Sequence, residues 1–488
     1  MTRTFNTKLL LKTLGALLLI EAIFMGIPAL VSWLYHEADW QVFLLSTGIT
    51  FVFGLIGILA GRKAEKHVSE REGYLIVALV WIVFSFFGMM PYYLSGAIPT
   101  FTDAFFETMA GFTTTGATII PDVEAMTHGV LLWRALTQWL GGLGIIVLCI
   151  ALLPMFGLGG MQLYAAEVTG VTYEKISPRI ADTAKRMWGI YLLLTLSEML
   201  LLWLCGMDGF DATCHSLSTI ATGGYSTKNT SLMGYSPAIQ YIVAVYMLLS
   251  GINFALIIYV FMGKPLRLWK DEETRWYLGA VLLFGILISV GLLLTRHNYT
   301  GSGFEEAFRH GFFMVIAAIS STGYAVSDYM TWHVVLWVVL FFLMFTGASS
   351  GSTSGGIKWV RLAIIFKNGR MEFKRRIHPN AILPVKLNGK PVSQQTINNV
   401  MAFMIIYVMV ILITVVVFCA CGLGFDEAIG TTVSAIGNVG ISIGSYGPTG
   451  TYACFPTVGK WVMTFVMLIG RLEIFTVLML FSPQLWKK

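Results

Sequence analysis

Four stretches hold the residues best suited to chemistry in this sequence: "FTDAFFETMAGFTTTGAT", "GFDATCHSLSTIATGGYS", "EAFRHGFFMVIAAISSTGYA" and "GFDEAIGTTVSAIGNVGIS". Each has an acidic or polar start, a helix-compatible run, then small polar residues ending in glycine and one or two more. Ala104, Ala212 and Ala428 stand twelve residues before Gly116, Gly224 and Gly440. The third copy is looser, with Gly311 twelve before Gly323, although "GFF" at 311–313 can be laid on "AFF" at 104–106. Such loops suit cation handling. An ion entering a low-dielectric interior loses hydration worth tens of kcal/mol by Born-type estimates, and a ring of backbone carbonyls can replace it. Glycine reaches positive φ without a Cβ clash, so successive carbonyls can turn toward an axis, and each short helix would aim its partially negative C-terminus at the middle. A single loop of this kind reads as a turn capping a helix; four matched loops point to a shared axis.

The elements that must position these loops are membrane spans. Of 488 residues, 56% are hydrophobic and only 12% charged, and the mean hydropathy of +0.74 is far from that of a soluble domain. Crossing the hydrocarbon core takes about 20 apolar residues. Ten such segments run approximately 8–35, 40–61, 74–95, 130–154, 187–206, 236–263, 276–295, 331–366, 397–422 and 460–482. The first follows a basic start but is longer than a signal-peptide core and lacks a cleavage site, so it reads as a retained helix. Each polar loop falls between two spans, on one side. The predicted class is therefore an all-α integral membrane protein: two N-terminal transmembrane helices in 1–72, then four helix, re-entrant helix, helix repeats in 73–156, 157–263, 264–396 and 397–488 around a pseudo-fourfold pore, with an intramembrane loop and cytoplasmic linker in the third. Irregular backbone at membrane depth is tolerated only where protein buries it or it lines a water-filled cavity, and four such loops most economically line one.

The net charge of +6 could suggest a nucleic-acid surface. Its placement argues against one: the basic clusters at 1–12, 61–73, 175–186, 264–275, 358–390 and the final "WKK" all fall on one side of a ten-span chain, which the positive-inside rule makes cytoplasmic, both termini included. Six cysteines show no zinc-like spacing, and neither a metal site nor a disulfide follows. Acids at 103, 211, 305, 426 and 427 begin the re-entrant helices, where they suit the N-terminal dipole. Arg134, Arg309, His215 and His310 read as structural or hydrogen-bonding groups.

Two further features lie on the basic side of the loops. The apolar run from Thr331 reaches "GASSGSTSGG" at 347–356 after sixteen residues, about 24 Å of helix and short of a full span. Four glycines and four serines in ten residues make a poor helix, so the eighth span reads as broken by a flexible loop at membrane depth, with a cytoplasmic linker as the alternative. The match of "GASSG" to a hydrolase nucleophile elbow would make Ser349 a nucleophile, but that motif needs a preceding strand. Arg471 sits in the middle of the last span, where an ionisable group costs at least ~2.5–3.5 kcal/mol and is functional by default. Facing the pore it would oppose cations; the alternative is a structural pair with Glu473, two residues away and on another helix face. Lys358 and Arg361 read either as gate elements or as interface anchors. No nucleotide-binding fingerprint appears.

At these residues the sequence resembles the Trk/Ktr/HKT superfamily of potassium uptake proteins, and within it the bacterial TrkH-type subunits. The likeness covers the whole chain and is most specific in "GASSGSTSGGIKWVR" and "IGRLEIFTVLMLFSP". It implies a filter for a transported potassium ion made by Thr114, Thr115 and Gly116; Thr222, Gly223 and Gly224; Ser321, Thr322 and Gly323; and Asn438, Val439 and Gly440. Each loop is less regular than "TVGYG", which suggests fewer well-formed ion sites. Gly116 stands where sodium-transporting plant relatives carry serine, which favours potassium. The resemblance also implies a gate built from Gly347, Ser349, Ser350, Gly351, Gly355, Gly356, Lys358 and Arg471, a homodimer in the lipid of a bacterial inner membrane, and a cytosolic ring of TrkA-like nucleotide-binding subunits on the basic loops. It leaves open a sodium- or proton-coupled symporter; the reading from another class is an intramembrane serine hydrolase.

Overall fold

Helices long and apolar enough to cross a membrane dominate the computed structural model, which describes residues 6–64, 70–142, 180–295, 303–381 and 383–486. Six do so unbroken: Thr7–Leu34, Trp40–Ala60, Glu72–Leu94, Ala184–Leu204, Glu272–Thr295 and Gln394–Ala420. Their outward faces carry exposed Leu, Phe and Val, such as Leu283 at 62% and Leu294 at 79%, as surfaces solvated by lipid tails do. The fourth expected span begins as the helix His128–Gly142; its remainder to 154, like Cys149, lies outside the described residues.

Among the described residues, three of the ten expected spans are interrupted. The eighth consists of Val334–Met344 and Trp359–Ile377 with the glycine-serine loop between them, as its composition suggested. The sixth and tenth, read above as continuous, are not: Pro237–Ser250 meets Phe254–Phe261 at 104°, and Thr457–Arg471 meets Phe475–Phe481 at 113°. In the sixth, the Asn253 side chain accepts the Ala255 N–H at 2.8 Å and starts a new helix, a local bond that competes with continuation. In the tenth, Glu473 and Ile474 both adopt φ 55°, a strained setting for a β-branched residue that only surrounding contacts can hold.

The four short helices are Phe101–Phe112, Gly209–Ile220, Phe304–Ile319 and Phe425–Gly437. Side chains start two of them: Thr100 accepts the Asp103 N–H at 3.2 Å, and Asp208 accepts the Phe210 N–H at 2.9 Å, satisfying donors that the first turn leaves over. At 12–16 residues each is about 18–24 Å long, too short to cross. Each lies between the two long helices of its repeat and ends in the polar loop.

The polar stretch after Ile377 contains a two-residue hairpin, Lys386–Leu387 with Lys390–Pro391. Its turn is Asn388-Gly389, both at positive φ, the preferred chemistry for a tight hairpin. Asn388 ties it to the start of the seventh span, accepting the Glu272 N–H at 2.7 Å and donating to Asp271 at 3.0 Å.

The two leading helices pack through glycine. A Cβ on Gly15 would stand 2.6 Å from the Gly54 carbonyl oxygen and 2.7 Å from the Ile58 nitrogen, so the backbones touch in the small-residue manner of membrane helices. Gly15→Val is expected to separate the pair and cost about 1–3 kcal/mol, as overpacking does. A thermal-stability scan in detergent should show a lowered midpoint, and an unchanged one would mean that this contact does not hold the pair.

Candidate functional site

At the end of each short helix the chain makes the same turn. Thr114, Thr222, Ser321 and Asn438 adopt φ of 53–55°, and two residues later Gly116, Gly224, Gly323 and Gly440 adopt 76–88°. Between them Thr115, Gly223, Thr322 and Val439 each donate their N–H to the carbonyl five residues back, at 2.9–3.0 Å. This is a left-handed C-terminal cap, so the turn reading holds for each loop taken alone. Three polar residues accept the left-handed setting through this cap, and Asn is among the residues that tolerate it best.

Taken together the loops do more than cap. A Cβ on Gly116 would collide with the carbonyl oxygen of Gly223, one on Gly224 with that of Thr322, one on Gly323 with that of Val439, and one on Gly440 with that of Thr115. Each loop thus abuts the next, and the fourth abuts the first. The ring is closed, in chain order, with the glycines of all four loops lining one cavity of about 90 Å³. Asn229 lines the cavity further out. Its amide donates to Asp122 at 2.7 Å and so holds that exposed carboxyl below the usual carboxylate range.

Buried polar groups brace the ring from outside. Glu107 and Arg134 form an ion pair at 2.9 Å with side chains 0% and 2% exposed. The carboxylate also accepts the Ile119 N–H at 2.9 Å and the Thr118 hydroxyl at 3.0 Å, and the guanidinium lies 4.0 Å from the Tyr225 ring centre. Tyr225 and Tyr324, each just after its loop glycine, reach back to the preceding repeat: the first donates to the Glu107 carbonyl at 3.0 Å, the second to the Tyr225 carbonyl at 3.1 Å. Tyr452 donates to the Gly440 carbonyl at 3.1 Å, and its N–H to Thr118 of the first repeat at 2.8 Å. Gln138 fills the space that a side chain at Gly223 would need, donating to the Gly223 carbonyl at 2.7 Å and accepting the Tyr225 N–H at 3.1 Å. The Asn438 amide donates to the Thr115 hydroxyl at 2.9 Å and to the Met467 carbonyl at 3.0 Å, so it joins the fourth loop to the first.

The glycine-serine loop packs against the short-helix C-termini. Gly355 donates to the Ser321 hydroxyl at 2.7 Å, the Thr353 hydroxyl donates to the Ile220 carbonyl at 3.1 Å, and a Cβ on Gly355 would strike the Gly437 carbonyl. Gly251 and Phe254, at the break in the sixth span, bond to Ser349 and Gly351 at 3.0 and 3.1 Å. Glu273 accepts the Ser350 and Val360 N–H groups at 2.6 and 3.1 Å, fastening both ends of the loop. Lys358 is 6% exposed, with its ammonium on the Ser354 carbonyl and hydroxyl, so it is no interface anchor.

Arg471 reaches across: its guanidinium donates to the Thr353 carbonyl at 2.7 Å and to the Gly141 and Gly142 carbonyls, the latter at 2.6 Å. Glu473 forms its ion pair with Arg361. Residues of all four repeats therefore meet here: Gly141 and Gly142, Gly251, Thr353 and Arg471. Ser349 follows a helix rather than a strand, and its buried hydroxyl has no hydrogen-bond partner among the described residues, which leaves it without a base.

The structure thus gathers the loop residues expected from the sequence into one ring, and the glycine-serine loop, Lys358 and Arg471 into one cluster beneath it. Sequence reasoning missed Gln138, Glu107 and Glu273. The available signal was "RALTQWL" inside an apolar run, where Arg134 and Gln138, four apart, share a helix face.

A family model described as "TrkH: Cation transport protein" matches residues 40–488. The chain is similar to the Trk system potassium uptake protein TrkH of Escherichia coli (strain K12), 37% identical over 482 residues, 98% of this chain and 99% of the relative. Against TrkH of Halomonas elongata it is 38% identical over 490 residues, 99% of this chain and 100% of the relative. With TrkG of Escherichia coli (strain K12) it shares 32% over 493 residues, 99% of each. Among solved structures it is similar to the crystal structure of the potassium transporter TrkH from Vibrio parahaemolyticus, with a TM-score of 0.89, 33% identity and coverage of 99% of this chain and 100% of that one.

Arg134→Met leaves the Glu107 carboxylate buried without its cation, which is expected to cost about 3–5 kcal/mol. The double variant Glu107→Gln/Arg134→Met should recover much of that loss. Fluorescence-detected size exclusion after heating measures both; equal loss in the single and double variants would show that the pair is not coupled.

Proposed function

The chain belongs to the TrkH family of cation transport proteins, and on that premise we propose that it carries potassium across a bacterial inner membrane through one pore per chain. The observation that carries this reading is the closed contact of four glycines with four neighbouring carbonyls. Backbone oxygen presented from four sides can replace the hydration that potassium sheds. The four short helices add the negative ends of their dipoles from below. Relatives are transporters by name, and neither hydrolase chemistry nor a coupled symporter gains support from any contact described above.

The filter in this reading is made of Thr114, Thr115 and Gly116, Thr222 to Gly224, Ser321 to Gly323, and Asn438 to Gly440. The loops are not equal. Gly223 already gives its carbonyl a partner in Gln138, which weakens it as an ion ligand and favours a short filter over a long row of sites.

Closure of the pore is the work of the loop 347–356 with Lys358 and Arg471. The loop fills the space beneath the ring, and Arg471 fastens it to the first repeat. An ion leaving the filter would also meet the fixed positive charge. Two unit charges roughly 8 Å apart repel by about 2 kcal/mol at an effective dielectric of ~20, roughly thirtyfold in rate. Opening requires that the carbonyls of Gly141, Gly142 and Thr353 exchange Arg471 for other partners. With no nucleotide fingerprint in the chain, that work falls to a cytosolic TrkA-like nucleotide-binding ring on the basic face, acting on a homodimer with both termini cytoplasmic.

Flux into vesicles containing only this chain tests the transport reading: rubidium and potassium should enter in preference to sodium, with no imposed proton or sodium gradient. Arg471→Ala should raise basal flux about tenfold or more, from the repulsion estimated above; a folded variant with unchanged flux would remove Arg471 from the gate. Gly116→Ser should lower the potassium-to-sodium ratio, and an unchanged ratio would take that position out of the filter.

A further inference from the structure

A cavity of about 540 Å³ lies away from the ring, between the span Glu272–Thr295 and the helix Trp359–Ile377 that leaves the glycine-serine loop. One wall is a single face of the span, Trp276, Ala280, Leu283 and Phe284, and the other is Trp359 and Phe366. The Trp276 and Phe366 rings stack at 6.0 Å. From Glu272 to Phe284 the span rises about 18 Å, so the cavity runs from a polar mouth well into the hydrocarbon region.

Its mouth carries charge. Glu272 is occupied by Lys367 at 2.6 Å and the Asn388 N–H at 2.9 Å. Arg275 is exposed at the same mouth, with no acceptor for its guanidinium among the described residues. With Glu272 neutralised by Lys367, Arg275 leaves the mouth net positive. Trp359, 6% exposed, has an indole N–H that also lacks an acceptor among them.

We propose that this cavity binds one anionic phospholipid, its acyl chain along Trp276, Leu283 and Phe284, its phosphate on Arg275, and that the bound lipid holds the glycine-serine loop closed. Size and polarity fit: an apolar cleft of this volume with a few placed polar groups is the usual form of a ligand site. An ester or phosphate oxygen gives the Trp359 indole its acceptor after a small ring shift. The link to the loop is short. Trp359 follows Lys358, whose ammonium sits on the Ser354 carbonyl, and Glu273, next to Glu272, fastens the loop ends. A lipid wedged between the two helices fixes Trp359, and with it the position of Lys358.

The regulatory half rests on the gate reading above; the binding half does not. Native mass spectrometry of the full chain released from phosphatidylcholine vesicles containing phosphatidylglycerol should retain one phosphatidylglycerol per chain, and Arg275→Gln should lose it. In rubidium flux, adding phosphatidylglycerol to phosphatidylcholine vesicles should lower basal flux about fivefold, the effect of ~1 kcal/mol of preference for the closed state. Arg275→Gln should abolish that dependence under the same surface charge, and Leu283→Trp, which fills the cavity, should give low flux in either lipid. Retention that survives Arg275→Gln overturns the site. Retention lost without any change in lipid dependence overturns its coupling to the gate and leaves the pore reading intact. A disulfide between two chains carrying Leu283→Cys would assign the face to a second copy and overturn the proposal.

Discussion

Every other feature of this molecule answers to one steric constraint, the contact of each loop glycine with the carbonyl of the next loop. Four Cβ positions are forbidden at once, because each would fall on a neighbour's backbone oxygen. The constraint is mutual: each loop takes part in two of these contacts, so moving any one of them outward opens both. Backbone carbonyls held by such contacts stay close-packed without being paired to one another; Gly223 has a donor in Gln138, and buried carbonyls without a donor need a partner. In the transport reading proposed above, a cation supplies it.

Holding irregular backbone in that arrangement inside lipid takes a second layer of groups, and it is polar. Glu107, Arg134, Gln138 and the three tyrosines occupy the donors and acceptors that the loops leave over; Arg134, Gln138 and the tyrosines join one repeat to another, and the Glu107 carboxylate braces the first repeat. Burying an ion pair seldom adds net stability against an apolar substitute. Here Glu107 and Arg134 fix register between the first helix and the loop that follows it, which apolar packing does less specifically. The same logic operates beneath the ring, where Arg471, Lys358 and Glu273 satisfy the glycine-serine loop and hold it packed against the ring rather than as free chain. Among the described residues, the break in the sixth span supplies the Gly251 carbonyl and the Phe254 N–H that bond to this loop, and the tenth span contributes the Arg471 guanidinium.

Much of this was legible in the sequence because it recurs there. The glycine spacing that repeats in Ala104 to Gly116, Ala212 to Gly224 and Ala428 to Gly440 needed no knowledge of side-chain contacts, and the poor helix propensity of 347–356 marked one break directly. The other two breaks were hidden. Hydropathy averages over side chains and is blind to a backbone that turns, so 236–263 and 460–482 read as continuous. The left-handed setting at Glu473 goes with an ion pair to Arg361, distant in sequence, which hydropathy does not register. Gln138 and Glu107 escaped notice because a polar residue in an apolar run declares that it has a partner without naming it.

Placement of an ion is the central claim, and anomalous scattering from crystals of this protein soaked in thallium measures it most directly. The account predicts a peak on the axis of the ring, within contact of backbone oxygens from all four loops at the level of Gly116, Gly224, Gly323 and Gly440. An ordered ring with no peak on that axis, or thallium bound only outside it, would contradict the account.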